Sequence, residues 1–190
     1  MHKQLDGRLV IIKIIVTLII GTLCIVIFGE GSYKPVYCSR FRNWAQGYSD
    51  KISVIYEDGH YAELKLGKAW ENINNNMTAV RCATVLNKLG FVKSTAPMQE
   101  SKDFADYILS HEDIFKKQVE FTSNSVGQDM GSTSNCVIYK GKCYNIYSYG
   151  DWVSTPDDVE YINAVKELYS IIGVEIYIPY EEENILDEVG

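Results

Sequence analysis

CVIYKGKCYNIYSY, residues Cys136 to Tyr149, is two runs of β-branched and aromatic residues split by Lys140-Gly141. Such runs suit a pleated backbone, and a glycine between them accepts the positive φ of a tight hairpin turn. A two-residue turn here sets Ile138 opposite Cys143 and Val137 opposite Tyr144. It also puts Cys136 and Cys143 on one face as diagonal neighbours.

The best-signalled helix follows this hairpin. Thr155 suits the N-cap, Pro156 the first helical position, and Asp157 and Asp158 the positive end of the helix dipole. Val159, Ile162, Val165, Leu168, Tyr169 and Ile172 recur at helical spacing as a buried stripe, and Gly173 ends it. Beyond it Val174, Ile176 and Ile178 alternate with Glu175 and Tyr177, which predicts a final strand closed by Pro179. Strand, helix and strand from Lys142 to Ile178 imply a right-handed crossover, and therefore a mixed sheet.

Upstream of the hairpin, Ser123 to Asn135 reads as a loop, rich in Ser, Gly, Asn and Thr, after a short strand within Val119–Thr122. Ser101 to Lys117 predicts a helix with Phe104, Ile108 and Phe115 on one face, and Phe91 to Pro97 a plain connection. Between Lys68 and Gly90 the apolar residues change sides across Asn74-Asn75-Asn76, residues that favour caps over helix interiors. That predicts a short helix near Ala69–Ile73 and a main helix from about Met77 to Leu89, ended by Gly90. Asn76-Met77-Thr78 is also a formal glycosylation sequon, for which helix capping is the simpler use. Ile52 to Leu66 reads as a second hairpin around Glu57-Asp58-Gly59, with Ile52, Val54 and Tyr56 on one face.

Leu9 to Phe28, LVIIKIIVTLIIGTLCIVIF, stands apart from all of this. Twenty residues at 1.5 Å each cover a bilayer core of roughly 30 Å, and Lys13 alone carries charge. Two readings fit: an uncleaved signal anchor, or a secretory signal cleaved after about Gly31. A lipidated Cys24 is disfavoured by Leu23 before it. The basic residues Lys3, Arg8 and Lys13 on one side balance Lys34, Arg40 and Arg42 on the other, so charge alone does not orient the span. A short N-tail and a long C-terminal part favour an extracytoplasmic domain.

The fold class expected is α+β: an N-terminal transmembrane helix, then one small domain with a mixed, mainly antiparallel sheet packed by about three helices. The divisions are a basic tail at 1–8, the span at 9–28, a juxtamembrane lead-in at 29–50, the domain at 51–180 and an acidic tail at 181–190. In the lead-in, Tyr33 and Tyr37 are assigned to the membrane interface and Trp44 to packing on the domain.

The net charge of −7 conceals an asymmetry, since residues 1–28 contribute +2 and the remainder −9. Phosphate backbones would repel so acidic a domain, which removes nucleic acid as a partner. The bilayer, through 9–28, and a protein or envelope component are the partners expected.

Motifs for chemistry are sparse. His60 and His111 are the only histidines beyond the N-tail, and no Cys or His spacing sets up a metal site, so neither metal nor cofactor is expected. No residue is assigned a catalytic role. Cys136 and Cys143 are candidates for a disulfide, and Tyr139, Tyr144, Tyr147, Tyr149 and Trp152 for an aromatic binding platform, with packing under the C-terminal helix as the competing use of those rings. These features point to a membrane-tethered binding domain without catalytic activity, such as an immunity, inhibitor or envelope-assembly accessory protein. The alternative is a cell-envelope hydrolase with its site under the 123–135 loop.

Overall fold

The computed structural model describes residues 33–43, 48–67, 72–117, 119, 121–123, 131–148, 151–153 and 159–178, with backbone only for 121–123 and 151–153. The predicted span at 9–28, the helix start at Thr155–Asp158, Trp44, Tyr149 and both tails lie outside these residues. No helix among the described residues is long and apolar enough to cross a membrane.

The strands are β1 (Pro35–Asn43), β2 (Ser49–Tyr56), β3 (Tyr61–Leu66), β4 (Lys93–Thr95), β5 (Phe121–Ser123), β6 (Ser132–Tyr139), β7 (Lys142–Ile146) and β8 (Asp151–Val153). The helices are α1 (Asn76–Lys88), α2 (Gln99–Ser110), α3 (Glu112–Phe115) and α4 (Val159–Ser170). Six strands make one sheet in the order β4-β3-β2-β1-β6-β7, and β5 pairs with β8 separately. Every pairing is antiparallel. Among the described residues the domain is thus α+β with an antiparallel sheet, where a mixed, mainly antiparallel one was expected, and with four helices rather than about three.

The missing crossover has a local cause. Residues 174–178 do not form a strand. Instead the buried Tyr147 side chain donates its hydroxyl to the Tyr177 carbonyl at 3.0 Å, and Ile178 is buried in the core. A side-chain anchor here takes the place of a ladder.

The predicted lead-in also proves to be something else, because residues 35–43 are the inner strand β1, flanked by β2 and β6. Tyr37 lies in the core with its ring edge-on to Phe104 at 5.0 Å, not at a membrane interface. Tyr33 packs edge-on to Tyr56 at 5.4 Å. Arginines at inward positions hid the strand's alternation. Arg40 is fully buried and donates Nε to Asp50 Oδ1 at 2.9 Å and Nη2 to Oδ2 at 2.5 Å. Tyr48 donates its hydroxyl to the same carboxylate at 2.7 Å.

Both hairpins form as expected. Lys140 (φ 48°) and Gly141 (φ 74°) make a mirror-image type I turn, and Ile138 pairs with Cys143 and Val137 with Tyr144. In the other hairpin Ile52 pairs with Leu64 and Val54 with Ala62, so Tyr61 faces the opposite side. Phe91–Pro97 contains the edge strand β4, and Ser132–Asn135 belongs to β6 rather than to a loop. At the start of β6, Gly131 (φ 77°) leaves room only for a hydrogen, since a Cβ there would meet the Arg42 carbonyl at 2.4 Å.

Asn75 caps α1, accepting from the Thr78 N–H at 3.1 Å. At the other end Phe91 donates to Leu86 and Gly90 to Asn87, the paired bonds of a Schellman stop. The predicted Ser101–Lys117 helix divides at His111, whose ring stacks on Tyr107 at 4.0 Å. On α4 the buried stripe runs through Tyr161, Ile162, Ala164, Val165, Leu168 and Tyr169, while Val159 and Ile172 are exposed. The stripe is therefore rotated from the one expected.

Two cores result. Cys38, Ile52, Val54, Ala62 and Cys136 pack under Ala79, Val80 and Ala83 of α1. Tyr37, Ile55, Val137, Tyr139 and Ile146 pack under Phe104, Ile108, Phe115 and the α4 stripe. The layers are helix, sheet, helices.

Removal of one member of the buried ion pair tests this arrangement. Asp50→Ala leaves a buried guanidinium unpaired and is expected to cost about 3–5 kcal/mol in urea unfolding. The double substitution Arg40→Met with Asp50→Leu should recover most of that loss. Equal losses in both variants would contradict the burial of the pair.

Candidate functional site

An open polar cleft of about 630 Å³ lies where the N-terminus of α1 meets β7. Its rim on the helix side is the asparagine run and then Thr78 and Arg81, one helical step apart on the same face. The opposite rim is Gly141, Lys142, Cys143 and Asn145 from the tight turn and β7.

Each part is placed by a local rule. Asn75 must sit at the helix start because it caps it. Asn74 accepts from Arg42 Nη1 at 3.3 Å, which ties the approach to α1 onto β1. Asn76 donates Nδ2 to Ser134 Oγ at 3.1 Å, while its Oδ1 is buried without a protein partner. The nitrogen a glycan would use is therefore already engaged. The mirror-image turn leaves Gly141 bare, and Arg81 comes within 3.9 Å of where a Cβ would stand.

The cleft's electrostatics run against those of the chain. Arg81 and Lys142 line it, and no histidine or carboxylate does. Among the described residues neither cation is in an ion pair. The first N–H groups of α1 add a partial positive charge at the same place. Chemically the space offers amides and cations, which recognise carbonyl and carboxylate groups.

A row of sulfur atoms borders this space. Cys38 stands directly opposite Cys136, Cys136 is diagonal to Cys143, and Cys143 Sγ lies 3.8 Å from Met77 Sδ. Cys38 and Cys136 are fully buried, and Cys143 is half-buried on the cleft wall. All four described cysteines are free thiols. Hydrogen bonding to Cys136, then burial, pushes the Cys143 thiol up, against a smaller opposing effect of Arg81. For Cys136 the hydrogen bond with Cys143 pulls down, but the bond with Cys38 and burial outweigh it and the net shift is upward. Burial also raises Cys82. These thiols stay protonated at neutral pH, the opposite of an activated nucleophile.

Of the five rings expected to form an aromatic platform, two are buried in the core. Tyr139 is buried and donates its hydroxyl to the Ile108 carbonyl at 2.6 Å. Tyr147 is buried and anchors Tyr177. Tyr144 is half-buried, its ring centre 5.9 Å from that of Tyr139. Tyr149 and the Trp152 side chain lie outside the described residues, as does the 124–130 part of the loop assigned to a hydrolase site.

The histidines do not reach the cleft. His60 Nδ1 is 2.8 Å from Asp58 Oδ2, inside a turn where Asp58 also accepts from the His60 N–H at 3.1 Å. His111 is held by Tyr107 and Ser110. Among the described residues, no three His, Cys, Asp or Glu side chains are gathered to hold a metal ion. Sequence reasoning missed the cleft, although the turn and the asparagine run had each been placed; what it lacked was their juxtaposition. No protein-family model matches the chain, and neither curated proteins nor solved structures yield a match.

The buried phenols give a pH test. Burial raises Tyr37, Tyr56 and Tyr139 above the ordinary value, and burial with the hydrogen bond to Glu167 pushes Tyr107 up to about 12. The unfolded chain ionises its phenols near pH 10, so it releases protons before the folded one does. Stability contributed by these groups is complete below about pH 10 and is lost as pH rises toward 12 and beyond. Tyrosinate absorbance from the buried rings should therefore appear together with loss of circular dichroism. Ionisation of all phenols near pH 10 with the dichroism intact would contradict the burial.

Proposed function

We propose that this chain is a membrane-tethered, extracytoplasmic binding domain without catalytic activity, and that the α1–β7 cleft is its contact surface. The observation that carries the reading is the lining of that cleft, in which four asparagines, Arg81 and Lys142 predominate and no histidine or carboxylate takes part. Amide and cation donors converging beside a helix start suit carbonyl and carboxylate groups of a protein or envelope component. An immunity, inhibitor or envelope-assembly role belongs to this class. The apolar run at 9–28 supports the tether, and the acidity of the rest argues against nucleic acid or anionic lipid as the ligand.

The test uses the full chain in its own membrane. A photo-crosslinking residue at Thr78, on the cleft rim, is compared with one at exposed Lys166 on α4. A covalent adduct from Thr78 only, lost in the Arg81→Ala, Lys142→Ala double variant, is the expected result. Protease added to intact cells should also digest the domain. Equal adducts from both positions, or a domain protected in intact cells, would sink the proposal.

A further inference from the structure

We propose that Cys38 and Cys136 form a reversible cross-strand disulfide and that Cys143 is the thiol through which it is made. The geometry follows from the turn. In a two-residue hairpin the flanking pair, Tyr139 and Lys142, is hydrogen-bonded, and bonded and non-bonded pairs alternate from there. Tyr139, Val137 and Asn135 thus turn their backbone groups toward β7, and the Asn135 N–H indeed reaches Ser148 Oγ at 3.1 Å on that side. Ile138 and Cys136 turn theirs toward β1. Cys136 and Cys38, which are in register, are therefore a hydrogen-bonded pair.

Residues so placed have Cα atoms about 5.5 Å apart. Disulfides span Cα distances of about 4.4–6.8 Å, so this pair can be bridged with the sheet in place. Cys136 pairs with Asn145, which makes Cys143 its diagonal neighbour, two residues away. Diagonal Cα atoms lie about 7–8 Å apart, beyond what a bridge tolerates without backbone movement. Of the two pairs that share Cys136, the sheet favours the one with Cys38. Side chains of an opposite pair start about 4.5–5.5 Å apart at Cβ, wider than the roughly 3.8 Å of a relaxed bridge, so the bond is strained and easily reduced.

Access dictates the route. Cys38 and Cys136 are sealed under α1, whereas Cys143 opens on the cleft. A small-molecule disulfide such as oxidised glutathione enters there. The small fraction of Cys143 present as thiolate, which grows as the pH is raised, attacks one of its sulfurs, forming a mixed disulfide and releasing one thiolate. Cys136, deprotonated, attacks Cys143 Sγ and expels the second thiolate, leaving a transient diagonal bond that the edge strand β7 must shift to allow. Cys38 then attacks Cys136 Sγ and returns Cys143 as a thiolate. Two protein thiols have lost two electrons and two protons, and the oxidant has become two thiols. An oxidising compartment outside the cytoplasm is the natural setting, but the chemistry does not depend on what the cleft binds.

The experiment takes the full chain with Cys24→Ser, purified in mild detergent and incubated with oxidised glutathione, then digested and mapped by mass spectrometry without reduction. The expected product links the Cys38 and Cys136 peptides, with Cys82 and Cys143 free, and reverts in reduced glutathione. Cys143→Ser should give the same bond about tenfold more slowly. Circular dichroism confirms that each sample is folded. A final bond between Cys136 and Cys143, any bond to Cys82, four free thiols after oxidation, or an unchanged rate in Cys143→Ser would overturn the proposal. Crosslinking at Thr78 reads the binding function separately, so either can fail alone.

Discussion

Arg40 cannot be buried alone. A guanidinium with no exposed surface is tolerable only with its charge paired, and Asp50 pairs it through Nε and Nη2, while Nη1 has no partner among the described residues. The two residues are not opposite each other: Arg40 faces Ile52, and Asp50 faces Arg42. Their bond is diagonal across β1 and β2, so it holds in one register only. A slip of one residue would turn Arg40 to the other face and leave Asp50 unpaired under α1. The other edge of β1 carries β6 and hence β7, which brings the tight turn beside α1.

Tyrosine supplies the second set of constraints. A buried phenol fills the space of a large apolar side chain but needs a partner for its hydroxyl. Here the partners are mainly backbone carbonyls at segment ends. Tyr139 ties the end of α2, Tyr147 ties Tyr177, and Tyr169 donates to the Tyr147 carbonyl at 3.1 Å while accepting from Asn135 Nδ2 at 2.8 Å. These links span β6, β7, α4 and the segment after it. They fasten residues 174–178 without a ladder, and the alternating apolar pattern there reports burial of Ile178 rather than a strand.

What the sequence disclosed follows from how local each signal is. The Lys140-Gly141 and Asp58-Gly59 turns, a cap within the run Asn74–Asn76 and the Gly90 and Gly173 stops depend on neighbours a few residues away, and all are legible. The inner strand β1 is not, because Arg40 and Arg42 stand where alternation demands apolar residues, and only Asp50, ten residues on, makes burial of Arg40 permissible. The α4 stripe was misplaced because Tyr161 and Ala164 carry as much burial as the obvious aliphatics. Of the site, the cysteines and the asparagine run were visible as residues. Their meeting across β7 and α1 depends on the order in which strands add to β1, which no local pattern encodes.

That order also explains why there is a cleft at all. Six strands at about 4.8 Å spacing span roughly 24 Å between the outermost, and one helix covers only about 10 Å of that width. The face with three helices is closed over. Among the described residues the other carries α1 alone, seated over β1, β2 and β3 through the small residues Ala79, Val80 and Ala83. The far edge at β7 is left open, and its side chains answer the exposure: Asn145 is polar, Cys143 is half-buried, and Arg81 leans across from the helix. A cleft here needs no special loop. It follows from covering a six-stranded sheet with one short helix whose polar start lies over the uncovered edge.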